Sequence, residues 1–212
     1  MDVSQMKTRL PLWSSALLLA MTSSAFAASS VDLTVKGLIT PSACAASLPG
    51  NVDFGKIAAK DLNLDTPTQL ERKTLLLSVN CEAATLFAID LIDNRAGSPI
   101  YSYAFGLGLT NENQKLGQYS FTFNNPVAET PSTLLAMYND DGQWRDIYPD
   151  DAVGPGEFVA LGSRGDNGWA PHPIKDATMD ITLYGSIAAA KDLTLTNEVA
   201  IDGSATFEVK YL

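Results

Sequence analysis

Short runs in which apolar and polar residues alternate fill almost the whole chain, separated by Gly, Pro, Asn and Asp, and no stretch sustains a helical period with caps. A period of two puts every second side chain on one face of a pleated strand. Frequent short strands with punctuating turns predict an all-β sandwich or barrel. The pattern predicts strands at 31–40, 52–57, 73–80, 85–92, 101–110, 118–124, 133–138, 143–148, 156–162, 177–187, 193–201 and 204–212. Asn139-Asp140-Asp141-Gly142 is a turn signal that makes a hairpin of the runs on either side. Asp202-Gly203 marks a second tight turn that feeds the last strand. Ala188-Ala189-Ala190-Lys191 has room for one helical turn at most. The sequence shows no internal repeat, low-complexity tract or interdomain linker.

The two ends are the most sharply patterned. Val31, Leu33, Val35, Gly37 and Ile39 share one face of a strand that stops just short of Cys44. Ala205, Phe207, Val209 and Tyr211 share one face of a strand that ends at Leu212. Terminal segments fray unless a sheet holds them, so this patterning suggests ends that bind. Periodicity alone also fits an ordinary pair of strands in a complete sandwich.

Residues 1–27 read as a cleaved export signal. Lys7 and Arg9 precede a short apolar core, Trp13 to Met21, and Ala25-Phe26-Ala27 is a small-x-small cleavage site. The core is too short to span a bilayer, and no other segment has the length and hydropathy to do so. Removal leaves 185 of the 212 residues, enough for one domain with a sizeable core. The net charge is −10. The signal holds Lys7 and Arg9 against Asp2, so the exported part is more acidic by one charge. Polyphosphate backbones and anionic membrane surfaces would be repelled, which argues against nucleic-acid and lipid partners.

Cys44 and Cys81 are the two cysteines. An even count in an exported chain predicts a disulfide, worth about 4 kcal/mol for a loop of this length. A metal site would need more soft ligands, and the one histidine, His172, has no ligand-spaced companion. No cofactor or metal is expected.

Other motifs point to function more weakly. Arg164-Gly165-Asp166 lies in the Gly-rich stretch 162–168, which reads as a loop, and three-residue matches arise often by chance. Asp140, Asp141, Asp146, Asp150 and Asp151 lack the spacing of an EF-hand and read as a solvated acidic hairpin. Trp144, Tyr148 and Trp169 suggest a sugar-stacking platform, although such aromatics more often pack cores and loops. His172 sits between two prolines with no patterned nucleophile beside it, so no enzymatic activity is expected.

Taken in order, these features resemble a pilin of the bacterial chaperone–usher pathway. The stretch 31–44, with alternating apolar residues, a glycine and then a cysteine, is similar to the start of type 1 pilus subunits. Asn80-Cys81 closes an apolar strand where pilins place their second cysteine. The end, Ala205-Thr206-Phe207-Glu208-Val209-Lys210-Tyr211-Leu212, resembles the family's last strand with its penultimate tyrosine. The likeness covers 28–92 and 177–212. The middle, about 100–175, is longer than in ordinary pilins and carries an extra hairpin, which implies a divergent fimbrial branch.

The resemblance implies an incomplete immunoglobulin-like β-sandwich over 44–212 that lacks its last strand. Residues 28–43 would be an N-terminal donor-strand extension leading into the first strand. An unpaired edge beside an exposed core is an aggregation hazard until something covers it. In the family a periplasmic chaperone first lends a strand, and the extension of the next subunit then replaces it. Here Val31, Leu33, Val35 and Ile39 would fill the groove of a neighbour, with about 6–12 kcal/mol of transfer free energy before ordering costs. Gly37 would sit where the backbones approach closely. Ala205, Phe207, Val209 and Tyr211 would border the chain's own groove, and the Leu212 carboxylate would be gripped by basic residues of the chaperone. The implied partners are the chaperone, an outer-membrane usher, neighbouring subunits and a host or surface receptor. The implied destination is the cell-surface fimbrium by way of the periplasm, in a role supporting adhesion. The alternative is a secreted carbohydrate-binding β-sandwich that uses the Trp144–Trp169 region, with a secreted hydrolase as a third reading.

Overall fold

Twelve strands in two sheets account for nearly all the regular structure in the computed structural model, which describes residues 43–138 and 141–212. They are β1 (Cys44–Ser47), β2 (Thr68–Gln69), β3 (Lys73–Thr85), β4 (Phe87–Asp93), β5 (Phe105–Gly106), β6 (Gly117–Ala128), β7 (Thr133–Tyr138), β8 (Arg145–Asp146), β9 (Glu157–Gly165), β10 (Gly168–Pro171), β11 (Ile174–Ile187) and β12 (Ala205–Tyr211). The first sheet runs β1-β3-β11-β6-β5, with β2 also on β11. The second runs β12-β4-β9-β7-β8, with β10 on β9. All pairings are antiparallel.

The two-residue period builds the core directly. Leu77 and Val79 on β3, Met179 and Ile181 on β11, and Phe121 and Phe123 on β6 are buried in one cluster with Ile89 and Leu91 of β4. These residues are the inner faces of two sheets packed as a sandwich. The second sheet carries a small cluster of its own, in which Ala88, Met137, Phe158 and Ala160 are covered by Trp144. Thus β4 is covered on both faces at Ala88, and the central insertion supplies the outer cover there.

Pro126 lies inside β6, where it offers no N–H to a ladder. The register on β11 shifts between Thr178 and Asp180, and Asn125 takes a φ of 50° there. A bulge is where a strand tolerates proline. Asn125 also donates its side-chain amide to Asp180 at 2.7 Å, which ties the bulge to the neighbouring strand.

Most predicted strands are present, and four differ. Residues 52–57 and 193–201 carry the alternation but join no strand among the described residues. Of 101–110 only Phe105–Gly106 is in a strand, because Ala104 closes a turn onto the Tyr101 carbonyl and Gly108 has a φ of 91°. Of 143–148 only Arg145–Asp146 pairs, opposite Ala136 and Leu135, which preserves the predicted hairpin. The pattern missed β1, β2 and β10, all four residues or shorter. The predicted helical turn is a 3-10 turn at Ala190–Asp192. The predicted strand at 31–40 and the signal at 1–27 lie outside the described residues.

Candidate functional site

An apolar groove runs between two segments that lie largely outside both sheets. One wall is the chain from Leu48 to Ala59, and the other runs from Leu195 into the start of β12 at Phe207. The groove comprises a cleft of about 920 Å³ toward Lys56 and Glu198 and one of about 360 Å³ toward Ala205. Val52, Phe54 and Ile201 line both, so the two clefts are continuous. Leu116 and Ile187 form the floor of the larger part; Leu75, Tyr119, Phe121 and Leu183 form that of the smaller. The floor is therefore the hydrophobic core itself.

Aromatic packing fixes the narrow half. Phe207 of β12 meets Phe121 of β6 edge-on at 5.0 Å, and Phe121 meets Tyr119 at 5.5 Å in the same manner. Phe105 packs on both. Burial pushes the Tyr119 phenol well above the ordinary tyrosine range. Gly203 is pressed against this cluster, since a Cβ there would come within 3.0 Å of the Tyr119 ring.

The strands that continue from the two walls, β1 and β12, are tied to each other. The backbone N–H of Cys44 donates to the Tyr211 hydroxyl at 3.0 Å, and Cys44 is bonded to Cys81 as a disulfide. Cys44 and Cys81 face each other directly in the β1–β3 register, so the disulfide pins a short edge strand to its neighbour. At the mouth Lys56 and Glu198 form an exposed ion pair at 3.5 Å, a geometry that contributes little in water.

β12 is the edge of the second sheet among the described residues and pairs there with β4 alone. Ala205, Phe207 and Val209 turn inward and are half-buried against the core. Tyr211 departs from this face pattern. It is exposed, and its hydroxyl serves the Cys44 bond. Leu212 is exposed as well, with its N–H donating to the Leu86 carbonyl at 3.1 Å. On the outer face Asp90 stands opposite Glu208, and Lys210 lies over the Phe158 ring at 4.2 Å. Burial, opposed by Lys210 and reinforced by Glu208, raises the Asp90 carboxyl above its ordinary range. Val31, Leu33, Val35, Gly37 and Ile39 lie outside the described residues.

The other sequence motifs fall elsewhere. Arg164 and Gly165 end β9 and Asp166 follows in the turn to β10, with the Arg164 guanidinium over the Trp169 ring at 6.0 Å. Trp144 covers the outer cluster of the second sheet. His172 has a partner that the sequence pattern missed, Ser132 Oγ at 2.9 Å from its Nε2. The serine hydroxyl also donates to the Thr130 carbonyl at 2.7 Å. With its proton so committed, the oxygen accepts from the imidazole, the reverse of nucleophile activation. The pair latches two loops 40 residues apart, and no local pattern encodes such a contact.

A family model described as "Protein of unknown function (DUF1120)" matches residues 33–102. That span takes in both cysteines and β1 to β4. The chain is 27% identical over 227 residues to "Uncharacterized protein YhcF" of Escherichia coli K12, covering 89% of this chain and 93% of the relative. It is also 27% identical over 255 residues to "Protein GltF" of the same organism, covering 95% of this chain and 98% of that one.

Proposed function

We propose that the protein is a structural subunit of a surface fibre, an incomplete immunoglobulin-like sandwich completed by a strand from a neighbouring molecule. The supporting observation is the groove, whose floor is the hydrophobic core and one of whose walls runs into the edge strand β12. Strand order supports the same reading. In an immunoglobulin domain strands A, B, E and D form one sheet and C, F and G the other. Naming β1, β3, β4, β6, β11 and β12 as A to F gives A-B-E-D in the first sheet and F beside C in the second. The place for G, beyond β12, is unfilled among the described residues. The insertion β7 to β10 extends the second sheet on its other side.

The segments 52–57 and 193–201 have the alternation of strands and join no sheet among the described residues. A strand laid in the groove would give β12 a second partner and cover Val52, Phe54 and Ile201. Residues 31–39 have the matching apolar face. In this reading a periplasmic chaperone covers the groove first, an usher exports the subunit, and residues 31–39 of the next subunit replace the chaperone strand. The role is architectural and supports adhesion rather than catalysis.

Strand complementation tests this reading. A chain starting at residue 42 is mixed with a synthetic peptide of residues 28–41. The peptide should bind and raise the melting temperature, and scrambling its apolar positions should abolish both effects. A chain that is monomeric and equally stable without the peptide would refute it.

A further inference from the structure

The loop from β4 to β5 places two aromatic rings in water. Tyr101 and Tyr103 are 53% and 67% exposed. Their planes are parallel to within 4°, with centroids 5.4 Å apart. They border a cleft of about 700 Å³ that Lys115 and the Pro155–Gly156 turn also line. That volume lies within the range of small-ligand sites.

The loop is held at several independent points. The Asp93 carboxylate accepts from the N–H of Arg95 at 2.8 Å and of Gly106 at 3.1 Å. The buried Ser98 hydroxyl accepts from Gly108 at 3.2 Å, and the Gln118 side chain accepts from the N–H of Tyr101 at 2.9 Å. The Arg95 guanidinium grips both carboxylate oxygens of Asp202, at 2.8 and 2.9 Å. Gly154 packs so closely that a Cβ would lie 2.1 Å from the Tyr103 carbonyl oxygen. The rings are thus displayed on a fixed frame, which lowers the ordering cost of capturing a ligand.

The cleft combines two kinds of surface. The stacked phenols give an apolar face. Ser102, Asp93 and Lys115 line the same cleft, and Lys115 makes no ion pair among the described residues. A pyranose ring has this same mixture, a C–H face that packs on an aromatic ring and a rim of hydroxyls that need donors and acceptors. An extended proline-rich peptide would need a longer aromatic track. We propose that the Tyr101–Tyr103 cleft is a saccharide-binding site that takes one or two pyranose rings. The site is separate from the groove and needs no strand exchange.

The test uses the full chain in the assembly in which it purifies. It is applied to a printed array of neutral hexose, N-acetylhexosamine and sialylated oligosaccharides, and the bound glycan is then titrated in solution. Tyr101→Ala and Tyr103→Ala should each weaken binding about tenfold or more, with unchanged far-ultraviolet circular dichroism and melting temperature. Tyr103→Phe should retain most of the affinity. If an alanine variant loses its fold, Lys115→Ala serves in its place and should weaken binding severalfold. Trp169→Ala should have no effect. Absence of any bound glycan, binding indifferent to the tyrosines, or loss on Trp169→Ala instead would overturn the proposal. So would capture of a second copy of the chain through these rings.

Discussion

The Tyr211 hydroxyl, at the end of the last strand, accepts a hydrogen bond at 3.0 Å from the backbone N–H of Cys44, at the start of the first. The two residues are 167 positions apart and belong to the edge strands of different sheets. Their contact ties β1 to β12, while the groove itself is lined at its wider part by the exposed Lys56–Glu198 pair. Tyr211→Phe removes the bond and keeps the ring. The expected cost is about 0.5–1.5 kcal/mol, at the low end because the site is exposed, read from the urea midpoint at constant slope.

The Cys44–Cys81 disulfide fixes the same strand from the other side. Reduction, or the paired change of Cys44→Ser and Cys81→Ser, should lower unfolding free energy by up to about 4 kcal/mol. The measurement is chemical denaturation with and without reductant. An unchanged midpoint would mean that the β1–β3 ladder holds without the covalent tie.

Groove chemistry separates strand acceptance from stability. Ile201 lines both halves of the groove and is only half-buried. Ile201→Asp should therefore fold, yet bind the 28–41 peptide at least a hundredfold more weakly, about 3 kcal/mol for a charge placed against an apolar strand. Ile201→Val should bind nearly as the parent does. Calorimetric titration of the three proteins decides.

On the donor side, Leu33→Asp or Val35→Asp should block assembly while leaving chaperone binding intact, because the change lies in the lent strand and not in the groove. Co-purification with the chaperone and electron microscopy of surface fibres read the two effects separately. Normal fibres from either variant would remove residues 31–39 from the donor role.

Asp90 gives a pH signature. Burial is the main cause of its raised pKa, with Glu208 opposite adding to it and Lys210 opposing. A carboxyl with a higher pKa folded than unfolded binds protons preferentially in the native state. Its contribution is fully present below the unfolded pKa and is lost as pH rises through the folded one. Asp90→Asn removes this loss, so the variant should melt higher than the parent at neutral pH and equally below about pH 3.5. A lower melting temperature at pH 7 would mean that attraction to Lys210 outweighs the burial.

The sequence alone determined the all-β class, the disulfide and the inward faces of the long strands. Period-two alternation is a property of the local pleat, so β3, β6, β11 and β12 announce their buried sides without knowing their neighbours. Two cysteines allow one pairing, and that pairing is present. What the sequence left open is which extended segment finds a partner. Residues 52–57 and 193–201 alternate as β12 does, yet they line a groove instead of joining a sheet. Backbone pairing is a long-range event, settled by where the rest of the chain leaves an edge, and a local pattern carries no information about it. The same holds for the stacked pair Tyr101 and Tyr103, for Ser132 on His172, and for Tyr211 on Cys44. Each joins groups that only the packed sheets and the turns they hold bring within contact distance.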